Sequence, residues 1–484
     1  MKIEQIYTGC LAQGAYYITS NGEAAIIDPL REVQPYIEKM KADGVQLKYI
    51  FETHFHADFV SGHVTLSEKT GAPIVYGPNA KTDFDSIIAK DSQLFQVGGL
   101  TIKALHTPGH TMESTTYLLR DKNGKDQAIF TGDTLFLGDV GRPDLAQKSG
   151  EMTKEDLAGF SFDSLRNKIM PLADDVTVYP AHGAGSACGK NMMKETVDTL
   201  GNQKKVNYAL RADMTKAEFI KEVTEGLLPP PNYFALNAAM NKKGYESIDT
   251  VLERGNIALT PEQFETIANT EEALILDVRH QNDFAKAHIP GSIFIGINGS
   301  FAPWVGALIP DIQQTILLIA PAGKEEETVI RLARVGYDNT LGYLEGGIAA
   351  WQKVGKEIDT VESISPSSFA KQMKTEPNRT VLDVRKPTEF LAHHLVNATN
   401  MPLDYLNKNM DRIDRKAAYF IHCAGGYRSM IATSILKARG FHNLIDVQQG
   451  FKGIEANGTI PLSNYQCPTT ISQEVIDAAV DAVV

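Results

Sequence analysis

Cysteine is scarce in this sequence. Cys10, Cys188, Cys423 and Cys467 are spread over 484 residues, too few to staple a chain of this length, so a reducing, cytoplasmic setting is expected. Basic residues are also in deficit, with 47 Lys and Arg against 59 Asp and Glu and a formal charge of -12. A polyanion-binding surface is not expected, and nucleic acid is a poor partner. No apolar run approaches the ~20 residues of a membrane helix. The opening MKIEQIYTG lacks the apolar centre of a secretory signal, so no membrane association is expected. Low-complexity stretches are missing too. What remains is globular material: 43% hydrophobic residues, enough for several cores. The length corresponds to about three domains of ~150 residues each.

Residues 1–230 alternate short apolar or β-branched runs with helical patches. AAIIDP, KYIFETH, TIKALHTPGH, AIFTGD and VTVYPAH read as strands ended by Pro, Gly or Thr. GLLPPPNYFALNAAMNKKG, residues 226–244, is rich in Pro and then in Asn and Lys, and reads as a linker crossing a boundary. Beyond it the chain repeats itself. LILDVRHQNDFAKAHIPGSIFI (274–295) parallels VLDVRKPTEFLAHHLVNATNMPL (381–403), and TILLIAPAGKEEE (315–327) parallels AAYFIHCAGGYRS (417–429). YLEGGIAAW (343–351) parallels VQQGFKGIE (447–455). The repeat is domain-sized rather than a solenoid unit. Each copy alternates strands with helices, which predicts a parallel sheet covered on both faces. ETVIRLARVG and SMIATSILKARG are the expected helices after the third strand. The expected domains are residues 1–240, 241–358 and 359–484.

Four runs of the first module each lead to a metal-ligating residue type. KYIFETH ends at His54, KALHTPGH reaches His110, AIFTGD ends at Asp133 and VTVYPAH ends at His182. These groups converge only if the strand ends share one rim of a sheet, where loops collect binding residues. Imidazole with carboxylate suits Zn, Fe, Mn or Ni. ETHFHADFVSG adds His56 and Asp58 at alternate positions of a segment that reads as extended. The next position is Phe59, which cannot bind a metal.

THFHADF, HTPGHT, TGDTLF and YPAHG, in this order and spacing, resemble the metallo-β-lactamase superfamily. The resemblance spans nearly all of residues 1–230 and implies an αββα sandwich. Two-metal hydrolases of that superfamily carry His where Phe59 stands. GDVGRPDL (138–145) and AHGAGSACG (181–189) are similar to the bacterial persulfide dioxygenase–rhodanese fusions, which are mononuclear iron enzymes. This implies one Fe(II) per chain on His54, His110 and Asp133, the ligand set of non-heme oxygenases. His56, Asp58, Phe59 and His182 would then surround the metal without binding it. Phe59 is readable as an apolar wall against water and also as plain packing. Cys188, six positions past His182, is expected near the metal, as a catalytic sulfur carrier or as a small buried residue. Cys10 is expected to begin an early strand and to pack in the core. Arg142 is a candidate substrate anchor, with an ion pair to Asp144 or Asp139 as the other reading.

IHCAGGYRS sets Cys423 between a short apolar strand and a helix pattern. Backbone N–H groups of residues 424–429 can curl around the sulfur, and the helix dipole favours an anion there. Gly425 and Gly426 allow the tight loop, and Arg428 adds a donor and a charge. LDVRKPTEF supplies Asp383 and Arg385 at a first strand end. Residues 362–475 resemble a rhodanese domain. That implies a persulfide carried on Cys423, with Arg428 beside it and Gly425, Gly426, Asp383 and Arg385 lining the substrate position. The middle copy has Pro321 at the cysteine position, followed by Glu325 and Glu326. Proline offers no N–H, and the two carboxylates oppose a sulfur anion. This copy resembles rhodanese by fold alone and is expected to be a spacer or an interface.

Together the resemblances imply a persulfide dioxygenase of hydrogen sulfide detoxification. It would oxidise a thiol persulfide (of glutathione, coenzyme A or a similar carrier) with O2 to sulfite, and the rhodanese would form thiosulfate. The alternative is a zinc thioester hydrolase of the glyoxalase II type joined to a sulfurtransferase. A sulfur-relay or sensing protein is a third reading. A homodimer or homotetramer is expected.

Overall fold

The computed structural model describes residues 1–146, 152–227, 229–376, 379–467 and 470–482. They divide into two compact units, Met1–Thr250 with Ile330–Tyr337, and Val251–Val329 with Asp338–Val484.

The first unit is built on two six-stranded sheets. The first runs β1 (Lys2–Thr8), β2 (Gln13–Ser20), β3 (Glu23–Ile27), β4 (Gln46–Phe51), β5 (Ile74–Tyr76), β6 (Ile87–Ile88). The second contains β7 (Leu94–Val97), β8 (Leu100–His106), β9 (Thr115–Arg120), β10 (Asp126–Gly132), β11 (Thr177–Pro180) and β12 (Asp198–Thr199), ordered from β12 back to β7. The side chains alternate with a period of two. Tyr16, Ile18, Ala25, Ile27 and Phe51 of the first sheet meet Ile102, Tyr117, Leu119 and Phe130 of the second in one buried layer. The intervening residues face outward onto helices. Ala15, Tyr17, Ala24 and Ile26 pack on Tyr36, Met40 and Leu66. Leu105, Leu118 and Ile129 pack on Ala158, Leu165 and Phe219. This is the αββα sandwich.

The strand directions set the site. Within the second sheet, β8 and β10 each run antiparallel to β9, and β11 runs parallel to β10. The C-terminal ends of β8, β10 and β11 therefore share one edge, and the residues just beyond them gather there with the loop after β4. That loop is irregular over residues 52–60 and does not continue the strand, contrary to the extended reading of His54 to Asp58. Gly132 has φ +53, and a Cβ there would lie 2.6 Å from Thr53 Cβ. Glycine is what lets the β4 and β10 ends abut.

The expected linker is a correction. Phe234–Lys243 is a helix of the first unit, and the boundary at 240 falls inside it. Its face at Phe234, Asn237 and Asn241 is buried. The spacing is helical, but two of the three residues are polar, so no apolar stripe announced it. Leu228 of that stretch lies outside the described residues.

The second unit carries two five-stranded, all-parallel sheets of identical strand order. One holds β13 (Ala258–Leu259), β14 (Leu274–Asp277), β15 (Ile293–Phe294), β16 (Ile316–Ile319) and β17 (Thr340–Leu344), in the order β13-β17-β16-β14-β15. The other holds β18 (Glu362–Ile364), β19 (Thr380–Asp383), β20 (Thr399–Asn400), β21 (Tyr419–His422) and β22 (Leu444–Val447), in the order β18-β22-β21-β19-β20. The sequence repeat is thus a repeat of fold. The helix Tyr427–Ala438 follows β21 directly and begins at the cysteine loop.

Candidate metal centre and cysteine loop

His54, His110 and Asp133 are buried, and one ligand atom from each lies within 4.8 Å of the others. Their hydrogen bonds fix the ring tautomers. His54 Nδ1 lies 3.0 Å from Thr53 Oγ1, and that hydroxyl gives its own proton to Asp28 Oδ2 at 2.9 Å. Thr53 Oγ1 therefore accepts from His54 Nδ1–H, which leaves a lone pair on Nε2. His110 Nδ1 donates to the Arg142 carbonyl at 2.8 Å, so its Nε2 carries a lone pair as well. Asp133 Oδ2 lies 3.8 Å from His54 Nε2 and 3.4 Å from His110 Nε2. No hydrogen bond reaches that oxygen among the described residues. Three buried acceptors face one another with no proton between them, and a cation resolves such an arrangement.

The electrostatics agree. Burial, with His56 beside it, pushes His54 well below the ordinary imidazole value, so it stays neutral. Burial works against the Asp133 carboxylate, but His182, bonded to its other oxygen, holds it below the carboxylate range. Gly141 closes the cradle, because a Cβ there would lie 2.1 Å from the Asp133 carbonyl oxygen and 3.0 Å from His110 Nδ1.

His56, Asp58 and His182 form a second buried group, again within 4.8 Å of one another. His182 Nδ1 is 2.8 Å from Asp133 Oδ1, and its Nε2 is 2.7 Å from Asp58 Oδ2. Burial disfavours its charge, yet Asp133 and Asp58 outweigh that and hold it well above its ordinary value. An imidazolium therefore sits between two carboxylates that would otherwise call for a second cation. His56 Nε2 faces Asp28 Oδ1 at 3.1 Å and Glu52 Oε2 at 3.6 Å. Phe59 is fully buried and packs on the His56 ring, with centroids 4.4 Å apart.

Cys188 is buried, and its sulfur joins Asp133 and His182 in a group of the same 4.8 Å compass. Burial, then Asp58 and Asp133, push its thiol well above the usual range, so it is held as S–H. Cys10 does not begin a strand. It sits half-buried in the turn between β1 and β2, where Arg334 Nη1 donates to its sulfur at 3.4 Å. Arg142 is corrected as a substrate anchor. Its guanidinium is bidentate to Asp144, with both bonds at 2.7 Å, and Nη1 reaches the Ala187 carbonyl at 3.3 Å. Its backbone does the positioning, since Arg142 N also donates to the Cys188 carbonyl at 2.9 Å. Asp139 instead accepts from Tyr208 and from the amides of Lys190 and Asn191.

In the second unit Cys423 is buried at the end of β21, and Gly426 N donates to its sulfur at 3.1 Å. Gly426 has φ +100 and precedes the helix Tyr427–Ala438. Gly425 has no positive φ, and a Cβ there would meet nothing within 4 Å, so the loop does not require glycine at that position. Arg428 is paired with Glu389, with bonds of 2.6 and 2.8 Å, and its charge also acts on Cys423. Asp383 and Arg385 are corrected as substrate groups. They are buried and paired with each other at 2.6 Å, and Arg385 also donates to the His393 carbonyl. The middle copy keeps the same pair, Asp277 with Arg279 at 2.6 Å, although it has no cysteine. The pair belongs to the fold. Sequence reading missed Asn241, which donates from Nδ2 to the carbonyls of His56 and Phe59 at 2.7 and 2.8 Å and accepts from Ser61 N at 2.9 Å. It also missed Asp28 and Thr53, although AAIIDP and KYIFETH contain them.

The family model described as "Metallo-beta-lactamase superfamily" matches residues 8–182. The model described as "Rhodanese-like domain" matches twice, at residues 260–354 and 365–457. A solved metallo-beta-lactamase from Staphylococcus aureus subsp. aureus COL is 30% identical, covers 71% of this chain and 98% of its own, and superposes with a TM-score of 0.64. Persulfide dioxygenase ETHE1, mitochondrial, of Bos taurus is 30% identical over 222 residues, 45% of this chain and 78% of that protein. Hydroxyacylglutathione hydrolase GloC of Haemophilus influenzae is 27% identical over 213 residues, 39% of this chain and 94% of that protein. Relatives named for oxygenation and for hydrolysis stand at similar identity, so the choice between those chemistries rests on the site.

Proposed function

Because the chain belongs to the metallo-beta-lactamase superfamily and carries two rhodanese-like domains, we propose that it is an iron-dependent persulfide dioxygenase coupled to sulfur transfer. A low-molecular-weight persulfide, water and O2 give the free thiol and sulfite: RSSH + O2 + H2O → RSH + SO3(2-) + 2 H+. Sulfite then takes the outer sulfur of a Cys423 persulfide: Cys423–S–S(-) + SO3(2-) → Cys423–S(-) + S2O3(2-).

The observation that carries the reading is the set of three convergent acceptors on His54, His110 and Asp133, beside a second group in which Asp58 and Asp133 already hold the His182 charge. His54, His110 and Asp133 would hold the iron. Iron held there would supply the O2 chemistry that no side chain can. The chain's own residues do the rest. Thr53 with Asp28, and the Arg142 carbonyl, keep both Nε2 lone pairs turned inward. His182 keeps a positive charge between Asp58 and Asp133 without a metal. Phe59 fills the position of the absent ligand with apolar surface.

The second reading, a zinc thioester hydrolase, is favoured by the gathering of His56, Asp58 and His182, two imidazoles and a carboxylate within 4.8 Å of one another. Metal analysis with an oxygen electrode separates the two. The expected result is about one iron per chain and O2 uptake that depends on glutathione persulfide or coenzyme A persulfide. His54→Ala, His110→Ala and Asp133→Ala should each lose the iron and the uptake, and Asp58→Ala should lose less. Zinc with thioester cleavage and no O2 uptake would replace this reading by the second.

A further inference from the structure

The surroundings of Cys423 contain a buried polar chain that neither the loop amide nor Arg428 explains. Cys423 Sγ–H points at Ser429 Oγ, 3.7 Å away. Ser429 Oγ lies 2.7 Å from Asp446 Oδ1, the nearer of its two acceptors, the other being the Gly426 carbonyl at 3.2 Å. Asp446 Oδ2 accepts from Ser363 Oγ at 2.8 Å. All of Cys423, Ser429 and Asp446 are buried. The carboxylate is thus tied to the thiol through one hydroxyl. Hydroxyls are suited to this role because each can accept one proton while releasing another.

The middle copy supplies an internal control. Glu327 stands six residues after Pro321, as Ser429 stands six after Cys423. Leu344 of β17 pairs with Leu259, as Val447 of β22 pairs with Ile364. By strand register Tyr343 stands at the place of Asp446, and by the parallel of the two sequences Gly342 does, so no carboxylate stands there on either count. The copy without the thiol lacks all three members of the chain.

We propose that Ser429 and Asp446 form a proton relay for Cys423, taking its thiol proton when the sulfur attacks a sulfane-sulfur donor. This rests on the reading of Cys423 as a sulfur carrier. The step balances as Cys423–SH + R–S–S(-) + Asp446–COO(-) → Cys423–S–S(-) + R–S(-) + Asp446–COOH. The bond between Cys423 and the outer sulfur forms, the R–S bond to that sulfur breaks with its electrons leaving on R–S(-), and no external oxidant enters. Ser429 passes the proton and ends with the one it receives. Asp446 is a positioning and proton-holding residue, since it touches the substrate only through the other two.

Burial raises the Asp446 carboxyl to about 6, while its bonds to Ser429 and Ser363 pull it back. A relay that needs the carboxylate is therefore complete above that pH and fails below it. Other charges face the same region. Arg428 and Glu389 form an ion pair, Asp404 lies among them with its carboxyl raised by burial, and the Asp383–Arg385 pair adjoins the strand. His422 is pushed down by burial and stays neutral.

The test is the rate at which iodoacetamide labels Cys423 in the full chain from pH 5 to 9, read on the Cys423 peptide by mass spectrometry. Wild type is expected to show an inflection near pH 6, where the carboxylate appears, in addition to the dependence that belongs to the thiol. Asp446→Asn keeps the size of the side chain and an acceptor for Ser429 but cannot take a proton. It should lose the lower inflection and label several-fold more slowly at pH 7. Ser429→Ala should behave alike, and Ser429→Thr, which keeps the hydroxyl, should restore the wild-type profile. An inflection that survives in both Asp446→Asn and Ser429→Ala overturns the relay. Labelling does not depend on turnover, so sulfur transfer from thiosulfate to cyanide is measured separately. Absence of transfer in wild type would remove the carrier reading, and an intact transfer with unchanged labelling profiles would remove the relay alone.

Discussion

Phe59 packs on the His56 ring beside the group of His56, Asp58 and His182, and Asp133 with Asp58 holds a positive charge on His182. A new imidazole at 59 must compete with that charge. Phe59→His is therefore expected to hold more zinc per chain than wild type, and the excess should grow as pH rises from 7 to 9. The His182 value is raised, so its proton is retained through neutral pH and released only as pH climbs through the raised value. Metal content after dialysis against excess zinc at the two pH values checks this. One zinc at both would mean that the missing ligand does not explain a single-metal site. His54, His110, Asp133 and His182 were legible because each stands just past an apolar run, and strand ends collect ligands. Arg142 was not, because whether a guanidinium meets Asp144 or a substrate depends on loop geometry. Asp446 was also hidden, since only the pairing of β21 with β22 brings it toward the cysteine loop.

The helix Phe234–Lys243 shows where patterning failed at the level of elements. Its buried face holds Asn237 and Asn241, and three prolines precede it, so it looked like a connection. Those prolines are compatible with a helix start. Asn241 is buried because it makes three bonds to the irregular loop that follows His54. Asn241→Leu would keep the volume and orphan two carbonyls and one amide. At roughly 1 kcal/mol for each net hydrogen bond, with added cost for orphaned groups, the loss should be about 2–4 kcal/mol. Urea unfolding should show that loss, with lower iron retention on dialysis. Unchanged stability would mean that water replaces the amide without cost. Another element, the loop after β15, was equally silent. Gly299 admits the Tyr427 ring, since a Cβ there would lie 2.2 Å from it, and Tyr427 donates to the Gly296 carbonyl at 2.7 Å. The copy that lost its thiol thus seats the first residue of the helix that follows Cys423. Gly299→Ala should lower the rate of thiosulfate-to-cyanide transfer several-fold, while O2 uptake stays at the wild-type rate.

Within the second unit the repeat of fold was legible from the repeat of sequence, and the same five-stranded order returns twice. What no periodicity discloses is that Ile330–Tyr337, the end of a helix in the middle copy and the turn after it, belongs to the first unit. An amphipathic helix reads the same whichever body it packs on. In that unit Val60 N donates to the Arg334 carbonyl at 2.7 Å, and Arg31 Nη1 donates to the Ala333 carbonyl at 3.2 Å. A chain cut after residue 250 lacks both acceptors. Hydrogen exchange at the Val60 amide should be at least ten-fold faster in that fragment than in the full chain. Equal protection would make 330–337 dispensable to the metal unit. The last expectation separates the two chemistries by a single atom. Cys423→Ser keeps the volume of the loop and an acceptor for Gly426 N–H, so the fold should stand. A serine hydroxyl does not take up sulfane sulfur. The metal ligands all lie in the first unit, so persulfide-dependent O2 uptake should continue at near the wild-type rate. Sulfite should then accumulate where wild type gives thiosulfate. Product analysis by ion chromatography reads the difference directly. If O2 uptake falls together with thiosulfate, Cys423 must deliver sulfur to the metal site, and oxidation would follow transfer instead of preceding it. If thiosulfate persists with no free sulfane sulfur present, another thiol carries the transfer. Cys188 would be the first to test, because it lies beside Asp133 and His182.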